Sequence, residues 1–192
     1  MKFKYEWPSL KRKEEAQEYV IEHLNTNSKI NGTGGLNKQY EEYEEWLDKT
    51  NKNRNIEVSE EVVPSDTYFL VRCDDDRIVG MVNIRKLLTE ELKRHGGNIG
   101  YGIRPSERGK GYNKINLYLA LKVCDKYNIE EVLLDALSSN VASWKTMEAL
   151  GGKRIKEFID NGNELYKYSI NVKESLNKFK DQYEPLIEGI YE

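Results

Sequence analysis

The residues best able to do chemistry lie in one stretch near the middle of the chain, Gly100–Asn113, which reads GYGIRPSERGKGYN. It begins as a glycine-containing strand, continues as a short basic loop and opens a helix at about Gly111. The first N–H groups of a helix have no partner within it, and the positive end of the helix dipole lies there. Gly109 and Gly111 have no side chain, so a phosphate group could approach this backbone closely, and Arg108 and Lys110 add positive charge. The pattern predicts a binding site for a pyrophosphate group.

Two better-known phosphate-binding patterns are absent from the sequence. A P-loop needs GxxxxGK followed by Ser or Thr. A dinucleotide-binding fold needs GxGxxG near its first strand and an acidic residue about 20 positions later. A bare GxG pair is also compatible with a tight turn and a capping glycine, so the stretch by itself leaves that alternative open.

Composition limits the other classes of function. The 192 residues carry a net charge of −3 with basic and acidic side chains interleaved, so we expect no nucleic-acid partner. No apolar run approaches the length of a membrane span, and Met1–Trp7 is charged where a signal peptide is apolar, so we expect no membrane partner and a cytoplasmic location. Cys73 and Cys124 are too few for a disulfide framework, and with His23 and His95 as the only histidines we expect no metal site.

Hydrophobic periodicity predicts the elements that must position the glycine-rich stretch. In chain order they are a strand, two helices, a hairpin, a short helix, a strand, a loop, a long helix, a strand, a helix, a hairpin and a tail. The predicted spans are Lys2–Glu6, Leu10–Leu24, Leu36–Leu47, Thr67–Cys73, Arg77–Ile84, Thr89–Arg94, Asn98–Arg104, Tyr112–Tyr127, Glu131–Ala136, Val141–Leu150, Arg154–Ile159, Glu164–Ile170 and a helical tail from Val172.

The order of these elements predicts the fold class. The strand–helix–strand unit in the middle implies a right-handed crossover and a locally parallel pair of strands, while the hairpins on either side make the sheet mixed. We therefore predict an α+β (mixed α/β) fold. No repeat, linker or second composition regime divides the chain, so we expect a single domain over residues 1–192, with its core at about 6–170 and a helical tail at 172–192.

Three segments together resemble the GNAT superfamily of N-acetyltransferases, and its bacterial members in particular. They are TYFLVRCDDDRIVGMVNIR, NIGYGIRPSERGKGY and SSNVASWKTMEALGGKR, and the resemblance extends from about Glu6 to Tyr168. The superfamily's loop signature, R/Q-x-x-G-x-G/A at the end of its fourth strand, falls on Ser106–Gly111, with Ser106 in place of Arg or Gln. The resemblance implies a central mixed sheet of about six to seven strands flanked by helices.

The same resemblance implies the reaction and its partners. Acetyl-coenzyme A (acetyl-CoA) would be the cosubstrate, and the acceptor would be the amine of a small molecule or a peptide. Transfer would be direct, in a ternary complex without an acyl-enzyme. Dimers are frequent in the superfamily, which makes a homodimer a candidate assembly.

Site residues follow from the resemblance position by position. The main chain of Tyr101–Arg104 would pair with the pantetheine arm of the cofactor, and backbone amides from Arg108 to Asn113 would hold its pyrophosphate. Asn140 would hydrogen-bond the pantetheine region with Ser143 nearby, although helix capping could be the whole role of both. The implied cofactor-binding set is Tyr101, Gly102, Ile103, Arg104, Arg108, Gly109, Lys110, Gly111, Tyr112, Asn113, Asn140 and Ser143.

The expected catalytic groups are partly missing. Many members of the superfamily carry a Tyr seven residues after the Asn as proton donor to the departing thiolate, whereas this chain has Met147 there. Histidines found in related sequences are replaced by Lys86 and Asn98. Our hypothesis is that Tyr101, Ser143 or an ordered water serves the thiolate, although Tyr101 could be only a core residue. The departure leaves two other classes open: a protein that binds acyl-CoA without turning it over, and an unrelated nucleotide-binding module.

Overall fold

The computed structural model describes residues 1–59 and 62–191. Within these ranges the chain forms eight strands and seven helices. The strands are β1 (Phe3–Glu6), β2 (Ser65–Arg72), β3 (Arg77–Arg85), β4 (Ile99–Ile103), β5 (Glu131–Leu137), β6 (Lys153–Asp160), β7 (Asn163–Asn171) and β8 (Ile187–Tyr191). The helices are α1 (Lys13–Asn25), α2 (Leu36–Gln39), α3 (Tyr43–Asn53), α4 (Glu90–Arg94), α5 (Tyr112–Lys126), α6 (Val141–Ala149) and α7 (Val172–Tyr183). The prediction of a mixed α+β fold is confirmed.

The larger sheet joins both ends of the chain in the order β4-β3-β2-β1-β8. Helices cover both of its faces, so the central strands β2 and β3 are apolar on both sides instead of alternating. Phe69 and Met81 pack with α1 and α3 on one face, whereas Leu70 and Val82 pack with α5 on the other. This double burial fixes the register of the central strands and gives β4 a rigid neighbour.

The smaller sheet has the order β5-β7-β6 and is antiparallel throughout. Its hairpin turns at Asn161 and Gly162, whose φ angles of 48° and 78° are both positive. Two-residue Asn-Gly turns of this kind match the right-handed twist of the flanking strands. Helices α6 and α7 contact one face of β7.

In the described parts of the chain, the backbone hydrogen bonds that link the two sheets lie where β4 begins. Gly97 and Leu134 form an isolated bridge, and the Asn98 N–H donates to the Leu133 carbonyl oxygen at 2.7 Å. Beyond this bridge no ladder joins β4 to β5 in the described parts of the chain, so the outer edge of β4 is free. The parallel pair that we expected between these strands is therefore absent, and the eight strands divide into sheets of five and three instead of one sheet of six or seven.

The C-terminal segment differs from the prediction of a helical tail. Helix α7 ends at Tyr183, a short turn containing Pro185 follows, and β8 pairs in parallel with β1. The tail prediction is wrong beyond α7 because the free edge of β1 offers hydrogen-bonding groups that a local pattern does not reveal. This β1–β8 pair is the parallel pair of the mixed sheet.

Three smaller observations concern the second predicted helix, membrane-spanning helices and the metal prediction. The single helix expected over Leu36–Leu47 is divided into α2 and α3, and the Gln17 side chain donates to the Tyr40 carbonyl oxygen at the break. Across residues 1–59 and 62–191, no helix is both long and apolar enough to cross a membrane. In the same ranges no three His, Cys, Asp or Glu side chains cluster as metal ligands, and the metal-free reaction stays a prediction.

Candidate active site

The loop between β4 and α5 presents its backbone to open space. Gly109 and Gly111 have φ angles of 78° and 82°, a conformation that favours glycine, and a Cβ added at either would meet no atom within 4 Å. Gly111 is the N-cap of α5, so the capping role considered from the sequence is real. In the described protein the N–H groups from Gly109 to Asn113 have no hydrogen-bond acceptor, and all of these residues except Lys110 line one cleft.

A carboxylate from α1 anchors the start of this loop. Glu22 Oε1 accepts the Ser106 N–H at 2.7 Å, and Glu22 Oε2 lies 3.4 Å from Arg104 Nη1. Burial alone would raise the pKa of Glu22, but the hydrogen bonds from Ser106 and the charges of Arg104 and Arg77 together outweigh it and lower that pKa. Ser106, which departs from the superfamily's signature, thus contributes through its backbone amide.

Arg108 ties the loop to the segment between α1 and α2. Its Nε donates to the Ile103 carbonyl oxygen at 3.2 Å, and its Nη2 donates to Ser28 Oγ at 2.6 Å. The guanidinium therefore spans the end of β4 and holds the Ser28 segment against the mouth of the site.

A cleft of about 590 Å³ opens where β4 and β5 separate. Its walls are the free edge of β4, the first turn of α5, the first turn of α6 and the α1–α2 segment. Every residue of the predicted cofactor-binding set lines it except Arg104 and Lys110. Lining residues that the sequence did not single out are Ser28, Lys29, Asn31, Glu107, Lys114, Leu137, Ser139, Ala142 and Thr146.

Arg104 and Lys110 have other partners. The Arg104 side chain is buried against α1, where its Nη2 donates to the Glu15 carbonyl oxygen at 3.2 Å. Lys110 Nζ lies 2.8 Å from Glu107 Oε2. Neither residue lines the cleft, and the main-chain contacts expected of both with the cofactor stay a prediction.

The glycines of β4 accommodate the protein's own backbone. A Cβ at Gly102 would lie 3.0 Å from the Asn31 carbonyl oxygen, and a Cβ at Gly32 would lie 2.6 Å from the Gly100 carbonyl oxygen. The α1–α2 segment thus approaches the backbone of β4 closely on one face of the strand. The outer edge of β4, where another strand would pair, lines the cleft.

Tyr101 and Ser143 meet across the cleft. The Tyr101 hydroxyl lies 3.2 Å from Ser143 Oγ and 3.2 Å from the Ser143 carbonyl oxygen. Burial raises the pKa of Tyr101 well above its ordinary value, against a smaller opposite effect of the hydrogen bond to Ser143. The phenol therefore keeps its proton and is neutral at physiological pH. Its ring also packs in the apolar core, so the core role and a role at the cleft coexist.

The first turn of α6 supplies a polar wall. Asn140 is the N-cap, and its Oδ1 accepts the Ser143 N–H at 3.3 Å, which is the capping role considered above. Asn140 also lines the cleft. Met147, one turn further on, is 1% exposed in the core and offers no proton. Lys86 and Asn98 do not line the cleft: Lys86 pairs with Asp66 at 3.0 Å, and Asn98 bridges the two sheets.

The charges that line the cleft are mainly positive. Lys29, Arg108 and Lys114 line it, together with the carboxylate of Glu107. Burial would raise the pKa of Glu107, but the hydrogen bonds from Arg72 and Lys110 outweigh it and lower that pKa. Free backbone donors, cations and glycines without obstructing side chains fit the pyrophosphate of a coenzyme A thioester.

The comparison with family models identifies the class of protein. The model described as the acetyltransferase (GNAT) domain matches residues 5–153, more than half of the chain. The chain therefore belongs to the GNAT acetyltransferase family, whose general reaction is N-acetylation dependent on acetyl-CoA. The match sets aside the unrelated nucleotide-binding module. No curated protein matches the chain in sequence.

Solved structures share this fold at low identity. The spermidine/spermine N-acetyltransferase SpeG from Vibrio cholerae is 15% identical, with 92% of this chain and 98% of that chain covered at a TM-score of 0.65. The microcin C7 self-immunity acetyltransferase MccE, solved with acetyl-CoA and AMP, is 17% identical, with 88% and 92% covered and a TM-score of 0.65. The ribosomal-protein-S5-alanine acetyltransferase from Vibrio fischeri is 14% identical, with 89% and 93% covered and a TM-score of 0.63. At these identities the likeness shows the fold alone.

Proposed function

We propose that the protein binds acetyl-CoA in this cleft and transfers the acetyl group to a primary amine by direct attack in a ternary complex. One observation carries the proposal. The free N–H groups at the start of α5, the free edge of β4 and the neutral phenol of Tyr101 face the same cleft. These are the three features that a diphosphate, an extended amide-containing arm and a departing sulfur would need.

Different parts of the cleft suit different parts of the cofactor. The amides from Gly109 to Asn113, with Arg108, would bind the pyrophosphate. The free edge at Tyr101–Ile103 would pair with the pantetheine amides as an added strand would. The Asn140 side chain, half of which is used in capping, has donors left for the same arm.

The residues around Tyr101 suit the proton transfer. When bound, acetyl-CoA supplies the acetyl group already activated as a thioester. Forming the N–C bond and breaking the C–S bond requires that a proton leave the amine and that another reach the sulfur. Tyr101 would donate the second proton, and Ser143 would orient the phenol through their 3.2 Å contact. This assignment replaces the donor that Met147 cannot provide.

Met147, which cannot donate a proton where many family members carry a Tyr, favours a second candidate function, an acyl-CoA-binding protein that does not turn its ligand over. One experiment separates the two candidates. Acetyl-CoA is titrated into the protein by calorimetry, and free thiol is then followed with a panel of amines. Binding with amine-dependent thiol release supports the transferase, and binding without release from any amine supports the sensor. The absence of binding contradicts both.

The structural neighbours suggest the composition of the panel. Their names specify spermidine and spermine for one and the alanine of a ribosomal protein for another. We therefore propose a panel with polyamines, amino acids and peptides with free N-termini. One V. cholerae spermidine N-acetyltransferase structure is described as dodecameric, and we propose self-association here, with a homodimer as the simplest form, to be measured by light scattering. The cytoplasmic location stays a prediction.

A further inference from the structure

A carboxylate lines a cleft whose other charged groups are cations. The side chain of Glu107 is 4% exposed and lines the cleft. Lys110, which the sequence assigned to the phosphate, does not line it. Phosphate binding would favour Lys110 in the lining of the cleft, but Glu107 lines it instead.

The contacts of Glu107 explain this exchange. Its Oε2 lies 2.8 Å from Lys110 Nζ and 2.7 Å from Arg72 Nη1, while Arg72 Nη2 also lies 2.6 Å from Asp75 Oδ2. The Glu107 carboxylate therefore pairs with the Lys110 ammonium group as a phosphate oxygen would. This contact holds the Lys110 ammonium beside a carboxylate, and Lys110 does not line the cleft where the phosphates would bind.

We propose that Glu107 is an internal counter-anion that holds Lys110 away from the phosphate site and so weakens the binding of acetyl-CoA and of CoA. The inference rests on the proposed function, because it concerns the same cleft. Glu107 lowers the affinity for CoA in two ways. It competes with the phosphates for the Lys110 ammonium, and its negative charge repels them. Weaker retention of CoA would speed product release, the step that limits turnover in many enzymes.

A purely structural role for Glu107 makes the opposite prediction. Its bond to Arg72 ties the loop between β4 and α5 to the β2–β3 hairpin, so a residue that only shaped this loop would strengthen cofactor binding. Removing such a residue would weaken the affinity for CoA. The sign of the change in affinity therefore separates the two roles.

The test is Glu107→Gln, which keeps the size of the side chain and its ability to accept a hydrogen bond from Arg72. We expect the Kd for CoA, measured by calorimetry at low salt, to fall about threefold to fivefold, the size of one partly exposed ion pair. The log Kd should also depend more steeply on log salt concentration than in the wild type, because one more cation becomes available to the phosphates. A Kd that is unchanged or raised would overturn the proposal.

Two further variants make the result specific. In a Lys110→Met background, which keeps an apolar stem of similar length, Glu107→Gln should give a clearly smaller gain in affinity. An equal gain in both backgrounds would contradict the role assigned to Lys110. Arg72→Met breaks the tie to the hairpin but leaves the Glu107–Lys110 pair, so it should raise the Kd where Glu107→Gln lowers it. Absence of CoA binding by the wild type would instead refute the proposed function.

Discussion

Gly109→Glu tests whether the start of α5 is an anion site. Gly109 has a φ of 78° and no atom within 4 Å of an added Cβ, so the new side chain would fit without a clash. The left-handed conformation costs a non-glycine residue about 1–2 kcal/mol, and in a chain of this size each kcal/mol lowers the Tm by about 2–4 °C. The remaining effect is electrostatic. A carboxylate about 4 Å from a phosphate charge costs about 1–4 kcal/mol, which weakens binding by about fivefold to several hundredfold.

The chain offers a matched control for this variant. Gly162, in the turn between β6 and β7, also has a φ of 78° and nothing within 4 Å of an added Cβ, and it does not line the cleft. Gly162→Glu carries the same conformational cost and the same added charge. We expect similar losses of Tm by differential scanning fluorimetry in both variants. We expect a loss of acetyl-CoA affinity by calorimetry only for Gly109→Glu. If the two variants bind acetyl-CoA within a factor of two of each other, the assignment of the pyrophosphate site to the start of α5 is wrong.

Two other predictions concern the proton donor and the response to acid. Tyr101→Phe should lower kcat for thiol release by about 10²-fold or more while the KM for acetyl-CoA changes little, because only the donated proton is lost. A kcat within threefold of the wild type would eliminate Tyr101 as donor. The kcat of Ser143→Ala should fall between those of the wild type and Tyr101→Phe. The pKa values of Glu22 and Glu107 lie below their ordinary 4.5 in the folded protein, so the stability they add is complete above that pH and is lost as the pH falls through the folded values. Urea unfolding between pH 7 and pH 3 should show this loss, and Glu22→Gln should reduce its slope; an equal slope in the variant would contradict the role of the Ser106–Glu22 bond.

Much of the fold could be predicted because its signals are local. The continuous apolar run of α5, the Asn161-Gly162 turn and the β-rich runs of β2 and β3 each depend on neighbours within a few residues. The boundaries of α2 and α3 were missed because Tyr40 contacts Gln17, 23 residues earlier in the chain. The strand at Ile187–Tyr191 was missed for a similar reason, since its partner is β1 at the other end of the sequence.

The site could be predicted only where backbone geometry decides it. Glycines before a helix, with basic residues between them, define free N–H donors whatever the rest of the chain does, and Gly109 and Gly111 lie as expected. Side-chain partners do not follow from such a pattern. Arg104 turns to α1 and Lys110 to Glu107 because carboxylates and carbonyls lie within reach there, and a buried or half-buried cation takes the nearest anionic partner.

The sequence by itself identified a mixed α+β acetyltransferase of the GNAT family, and it predicts an anion site at the glycine-rich segment before α5. Periodicity, capping and glycine placement are properties of short segments, so they can be recognised in the sequence alone. Only the tertiary structure decided that the sheet divides between β4 and β5, that Tyr101 meets Ser143 at the cleft, and that Glu107 holds Lys110 and Arg72. These depend on distances between residues far apart in the chain, such as the 35 positions between Arg72 and Glu107, which folding alone brings together.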